Sequence, residues 1–278
     1  MTIYIIIGLF LLFAFIALII FINCTPEDHK IELLELFQFN QNDDFVMYLI
    51  NMEHNKDRYV NFITMCASSD LPKNRLMRIN AINGKQIDVS QYVSTYAHDE
   101  IINAKKLKYR TKHYQLTEGA VGCFLSHKLT YQTFNATDNF KYALIFEDDV
   151  QFPSNVYSQI KDNMTKLPTD WDIALLGCTC IKCNYVTKIW NKVTKFFCTH
   201  AYIINKNSCQ KILNYLDNIP KINQQIDSLL SDMADENKLN IYCLKTPLCT
   251  AGKQGTTIQI DMKYFKDIDP YEKAPKQN

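Results

Sequence analysis

From residue 45 onward, short apolar runs alternate with polar loops and with segments of helical spacing. Phe45-Val-Met-Tyr-Leu-Ile reads as a strand, residues 51–58 as a polar loop, and residues 59–66 as a helix. That order is the opening half of a βαβ unit. Residues 75–82 read as a second strand, closed by the turn pair Asn83-Gly84. Residues 90–113 are polar, basic in their second half and poor in strand signals, which predicts a segment wrapping the surface. A helix is expected over 116–131, with Thr117 as its N-cap and with Gly119, Ala120 and Gly122 allowing close approach of another element. Residues 142–146 form an apolar run with the branched and aromatic content of a buried strand. Helices are expected over 156–167, 207–216 and from 226, and strands over 171–177, 197–205 and 239–244, with Gly177 ending the first of these strands. The alternation argues for an α/β domain with a mostly parallel central sheet.

The apolar run at 142–146 ends in three carboxylates, Glu147, Asp148 and Asp149. Alternate side chains of a strand share a face, so Glu147 and Asp149 are expected to point one way and Asp148 the other. Adjacent carboxylates repel unless a cation or proton is shared. Strand ends of α/β sheets are where ligands bind, and hard cations such as Mg²⁺ and Mn²⁺ take oxygen ligands while leaving room for phosphate oxygens. The triplet therefore reads either as a metal–diphosphate site or as a solvated acidic turn. Arg58, at the first crossover, is placed to meet a phosphate or to lie on the surface near a helix start. His127 lies on the helix of 116–131, where a lone histidine is more often structural than catalytic.

Residues 3–22 carry no charged side chain and are long enough to cross a bilayer as a helix. The expectation is an uncleaved signal anchor, then a stem over 23–44, a globular domain over 45–265 and a polar tail over 266–278. Sequons at Asn23, Asn135 and Asn163 agree with a single-pass, type II arrangement with the domain on the lumenal side. The net charge of +1 gives no field pointing to nucleic acid. Of ten cysteines, Cys178, Cys180 and Cys183 form the tightest cluster. Zinc can use such a cluster, but no second ligand pair stands at finger spacing, so a disulfide or free thiols fit better.

Several blocks, taken in order, resemble glycosyltransferase family 25. They are Tyr48-Leu-Ile-Asn with Arg58, Arg78-Ile-Asn-Ala-Ile-Asn-Gly, Leu116-Thr-Glu-Gly-Ala-Val-Gly-Cys-Phe-Leu-Ser-His, Ala143-Leu-Ile-Phe-Glu-Asp-Asp-Val, Asp170-Trp-Asp-Ile-Ala-Leu-Leu-Gly, His200-Ala-Tyr-Ile-Ile-Asn, and Ile226-Asp227. The resemblance implies a GT-A-like nucleotide-sugar-binding fold and transfer of a hexose, often galactose, from a UDP-sugar to a protein or glycan hydroxyl, with inversion. It implies that Glu147 and Asp149 hold Mn²⁺ or Mg²⁺ against the diphosphate. It further implies that Asn51, Arg58, Arg78, His127 and Asp148 surround the donor. Asp227, opening a late helix, is the candidate general base, or else a carboxylate favoured by the helix dipole. His200 is a further candidate for a metal or donor contact. The competing expectation is a catalytically silent, membrane-tethered glycan-binding module of the same fold.

Overall fold

The computed structural model describes residues 44–252, 269 and 271–275. The expected membrane anchor and stem lie outside the described residues. Among the described residues, no helix is long and apolar enough to cross a membrane.

The chain begins with strand β1 (Phe45–Asn51), helix α1 (Lys56–Ala67) and strand β2 (Leu76–Asn80). Helices α2 (Thr95–Leu107) and α3 (Glu118–Asn135) follow, then strands β3 (Tyr142–Glu147) and β4 (Val150–Gln151). After helix α4 (Val156–Met164) come the long strands β5 (Ile173–Tyr185) and β6 (Trp190–Asn205). Helices α5 (Lys206–Asn218) and α6 (Ile226–Asp235) and strands β7 (Ile241–Leu244) and β8 (Thr250–Ala251) complete the described chain.

The main sheet has the order β2-β1-β3-β6-β5-β7. β1 pairs in parallel with both β2 and β3, while β6 runs antiparallel to β3 and β5. β7 is parallel to β5. Only β6 is reversed, so the sheet is mixed but mostly parallel, as expected. The order turns around at β1, with β2 on one side and β3 on the other. Such a switch point opens a crevice at the carboxyl ends of the strands.

Each buried strand feeds two cores, because successive side chains face opposite ways. Val46, Tyr48 and Ile50 of β1 join Ala143 and Ile145 of β3 under α2, α3, α5 and α6. Met47 and Leu49 join Leu144 and Phe146 under α1 and α4. This double burial explains why both strands read as unbroken apolar runs rather than as alternating ones.

Two expectations need correction. Residues 90–113 contain a helix, α2, rather than only a surface wrap. Ser94 caps it by accepting from the Ala97 amide at 3.1 Å, and Ala97, Ile101 and Ala104 are buried at helical spacing. Two of the three buried positions are alanines, and the polar residues His98, Asp99, Glu100 and Asn103 between them hide the stripe. Gly177 does not end its strand. β5 continues to Tyr185 because β6 pairs along it, with register shifts at Leu175/Gly177, Gly177/Thr179, Cys180/Lys182 and Lys182/Cys183. Glycine is required at 177 because a Cβ there would collide with the Cys249 carbonyl and the His200 ring.

The β5–β6 hairpin curls so that Trp190–Val193 of β6 also pairs with β7. Residues 271–275, expected as part of a polar tail, lie against the domain. Lys273 pairs with Asp235 at 2.7 Å, and the Tyr271 hydroxyl donates to the Ile181 carbonyl at 3.3 Å.

Candidate active site

The acidic triplet sits at the switch point. β3 ends at Glu147, and Asp148 and Asp149 form the turn into β4. Strand alternation sets the first two apart as expected: Glu147 meets α3, and Asp148 meets the start of α1. Glu147 accepts from Thr199 Oγ1 at 2.7 Å and from His127 Nε2 at 3.2 Å. Burial alone would raise its carboxyl, but the hydrogen bond and charge of His127 and the Thr199 hydroxyl outweigh that and hold it below the usual glutamate range. His127 is fully buried, and its other ring nitrogen lies 2.8 Å from the Tyr202 hydroxyl, which donates to Tyr131 at 2.8 Å. The imidazole is thereby fixed from both sides.

Asp148 is held by a different set. Arg58 Nη1 donates to it at 2.9 Å and Asn51 Nδ2 at 2.6 Å. Asn51 in turn accepts from Arg78 Nη2 at 2.6 Å, and the Arg78 guanidinium stacks 4.5 Å over the Tyr59 ring. Arg78 therefore acts on the turn through Asn51 rather than facing the cleft itself.

Asp149 differs from both. Its Oδ1 is buried and accepts no hydrogen bond from the protein. Burial first, and then the neighbouring charge of Glu147, push its carboxyl up to about 6, against the pull of Arg58. An unpartnered anionic oxygen beside a second carboxylate is costly unless a cation answers it. The donor set fits a divalent ion of the Mn²⁺ or Mg²⁺ kind, with Asp149 and Glu147 as oxygen donors that line the same cleft.

A cleft of about 140 Å³ opens beside the triplet, walled by Arg58, Lys85, Cys123, His127, Glu147 and Asp149 among others. The floor is made by a close approach of backbones. A Cβ on Gly84 would strike the Glu118 carbonyl, and one on Gly122 would strike Ile82 and Gly84. Ser126 Oγ receives the Ile82 amide at 2.8 Å and locks the loop to α3. The small residues of α3 thus serve the approach that the sequence suggests. A second cleft, lined by Asn61, Phe62 and Gln151, lies across the Asp148–Asp149 ridge.

Asp227 stands apart from this wall. It is half-buried in the first turn of α6 and accepts from its neighbour Ser228 N at 2.7 Å and from Cys198 N at 3.1 Å. Burial raises its carboxyl, opposed by these amides and by Arg110 and Lys195. Cys123 lines the cleft, and its thiol is pushed well up by burial and by the charges of Glu147, Asp227 and Asp149. His200 is buried outside the cleft lining, with its Nε2 3.2 Å from the Cys249 carbonyl.

Thr199, Tyr202, Cys123 and Lys85 also build the site, and the sequence reading did not nominate them. Thr199 neighbours His200 on β6 and Lys85 follows the Asn-Gly turn, but nothing local in the sequence marks either as facing the acidic turn.

The profile of glycosyltransferase family 25 (LPS biosynthesis protein) matches residues 45–230. The chain belongs to this family. Human procollagen galactosyltransferase 2 is 23% identical over 176 residues, 60% of this chain and 27% of that protein. The lipooligosaccharide biosynthesis protein lex-1 of Haemophilus influenzae is 29% identical over 150 residues, 48% of this chain and 49% of lex-1. Human inactive glycosyltransferase 25 family member 3 is 38% identical over 65 residues, 22% of this chain and 11% of that protein. The family chain described here thus spans about a quarter of the human galactosyltransferase and half of lex-1.

Proposed function

We propose that this chain is a metal-dependent glycosyltransferase that moves a hexose from a UDP-sugar to a hydroxyl of a protein or glycan, with inversion. The observation that carries the reading is the buried, unpartnered Asp149 oxygen beside Glu147 at the carboxyl end of β3. A bound Mn²⁺ or Mg²⁺ would supply Lewis-acid stabilisation of the charge that grows on the departing diphosphate. Asp149 and Glu147 are the residues that would hold that ion. Arg58 and Lys85 offer positive charge to the phosphates from the cleft wall. Asp148, clamped by Arg58 and Asn51, fixes the turn. His127 keeps Glu147 ionised and oriented. Asp227, with its raised carboxyl, takes the acceptor's proton, reached across the Cys123 side of the site.

The full-length protein in detergent, offered a panel of nucleotide sugars with Mn²⁺ and with a chelator, tests this. Turnover of a UDP-sugar only with the ion is expected, and equal turnover in the chelator would overturn the metal role. A second reading is a silent glycan-binding module, favoured by the separation of Asp227 from the cleft wall and by the relative whose name calls it inactive. Glycan binding without turnover of any donor would select it. A type II, lumenal placement is proposed with the enzyme, and glycosidase-sensitive mobility of the expressed protein is its check.

A further inference from the structure

The cleft wall carries a second set of ligand-type side chains, beside the acidic turn but of softer chemistry. Cys123 and His127 lie four residues apart on α3, and positions i and i+4 of a helix share a face. Glu147 comes to them from the end of β3. The Cys123 sulfur, a His127 ring nitrogen and a Glu147 carboxylate oxygen all lie within 4.8 Å of one another. All three residues line the cleft.

Hydrogen-bond directions identify the ring nitrogen. Tyr202 gives its hydroxyl proton to Tyr131, so its oxygen accepts from His127 Nδ1–H at 2.8 Å. The other nitrogen, Nε2, faces Glu147 Oε1 at 3.2 Å. A bare lone pair against a carboxylate oxygen is repulsive, so a proton or a cation belongs between the two atoms. An imidazole that donates through one nitrogen to a fixed partner and offers the other is the arrangement of a metal-bound histidine. Nitrogen and oxygen ligands about 2.0–2.1 Å from a tetrahedral zinc ion lie about 3.3–3.4 Å apart, close to the separation seen here. Thr199 also bonds Glu147 at Oε1, so neither contact uses Oε2.

Cys123 sets the preference among ions. A thiolate with an imidazole favours Zn²⁺, whereas Mn²⁺ and Mg²⁺ take oxygen ligands. The other thiol cluster offers less. There Cys180 and Cys183 are joined as a disulfide, which leaves Cys243 as the free thiol of that group.

We propose that Cys123, His127 and Glu147 bind one Zn²⁺ through Sγ, Nε2 and Oε1, with its fourth position open to the cleft. Three protein ligands and one exchangeable position make an open zinc site. The ion replaces the proton between His127 and Glu147 and the proton of the Cys123 thiol. Both protons leave to solvent, and no electrons move. One consequence rests on the proposed function: a second dication on Glu147 repels the hard ion beside Asp149, so zinc and Mn²⁺ weaken each other's binding.

The test uses the full-length protein in detergent, kept reduced with a phosphine so that no added thiol competes for metal. Cd²⁺ stands in for zinc because its thiolate complexes absorb in the near ultraviolet. The expected result is one Cd²⁺ per chain with a sulfur-to-metal charge-transfer band, which Zn²⁺ then bleaches. Cys123→Ser is expected to abolish the band and to lower zinc affinity at least about a hundredfold, beyond what loss of an outer contact does. Cys243→Ser is expected to keep both. If Cys123→Ser fails to fold, the wild type gives a second readout. Zinc at about ten times its Kd should slow alkylation of Cys123 about tenfold and leave that of exposed Cys198 unchanged. No charge-transfer band in the reduced wild type would overturn the proposal. So would a band that survives in Cys123→Ser, one lost in folded Cys243→Ser, or alkylation of Cys123 that zinc does not slow. Mn²⁺ shown by electron paramagnetic resonance to be bound, yet without effect on the cadmium titration, would contradict the shared carboxylate. Mn²⁺ that does not bind at all would sink the proposed function instead and leave a Cys123-dependent band standing.

Discussion

The two halves of the sheet hold their functional groups in different ways. In the β2–β1–β3 half, one continuous network runs from Arg78 through Asn51 to Asp148 and Arg58. Asn51 ends β1, Asp148 follows β3, Arg58 lies in the first turn of α1 and Arg78 lies within β2. In the β6–α6 half, Asp227 is tied to two amides and does not line the cleft. The difference teaches that the parallel half is built to present the turn, whereas the carboxylate of the other half is held by backbone amides outside the cleft wall. A donor site on the first half and an acceptor-side base on the second would follow from that division.

Substitutions can break or sharpen this comparison. The largest expected effect is from Asp227→Asn. Loss of a general base should cut kcat by about 10²–10⁴-fold while leaving Mn²⁺ and UDP affinity intact, and unchanged kcat would remove the second half from the chemistry. Asp149→Asn should cost at least about a hundredfold in metal-dependent turnover. It should leave the melting temperature equal or higher, because a buried, unanswered charge is removed. A collapse of the fold instead would make Asp149 structural.

Much of the first half was legible in the sequence. Its strands are buried on both faces, the acidic triplet and Asn51 fall at strand ends, and Arg58 falls at the start of the first helix, where a local pattern marks them. The second half was less legible. The stripe of α2 consists of two alanines and one isoleucine set among polar neighbours, the β5 extension past Gly177 depends on β6 pairing, and Thr199 reaches Glu147 only through an antiparallel register set 52 residues away. Cys243 joins the β5 cysteines only through two strand pairings. Those contacts are tertiary, so no short window contains them.

Effects of intermediate size separate support from chemistry in the first half. Glu147→Gln should destabilise the fold by about 2–3 kcal/mol, because it weakens the charge-assisted bond with buried His127. Urea melts would show this, and an unchanged midpoint would mean that the Thr199 and His127 contacts are replaceable. Arg58→Ala should raise KM for the donor about tenfold, or about 1.4 kcal/mol, with a smaller change in kcat. An effect confined to kcat would move Arg58 from donor binding to the reaction itself.

The smallest effect is in the pH dependence of stability. Asp149 titrates near 6 when folded and near its ordinary value of 3.8 when unfolded. The folded state therefore holds the proton more tightly, and the stability this gives at low pH is lost as pH rises from about 4 through 6. Glu147 has the opposite sign, since its lowered carboxyl gives stability that is lost on acidification. Thermal melts of the wild type and Asp149→Asn across this range should differ by a slope that the variant lacks, and added Mn²⁺ should restore wild-type stability above pH 6.

The central claim is that the unpartnered Asp149 oxygen is where a divalent cation meets the diphosphate. A crystal grown with Mn²⁺ and UDP tests it most directly through the anomalous signal of the ion. The account predicts one manganese bonded to Asp149, with the diphosphate oxygens on its far side toward Arg58. Manganese and UDP bound elsewhere, with Asp149 Oδ1 still without a ligand, would contradict it.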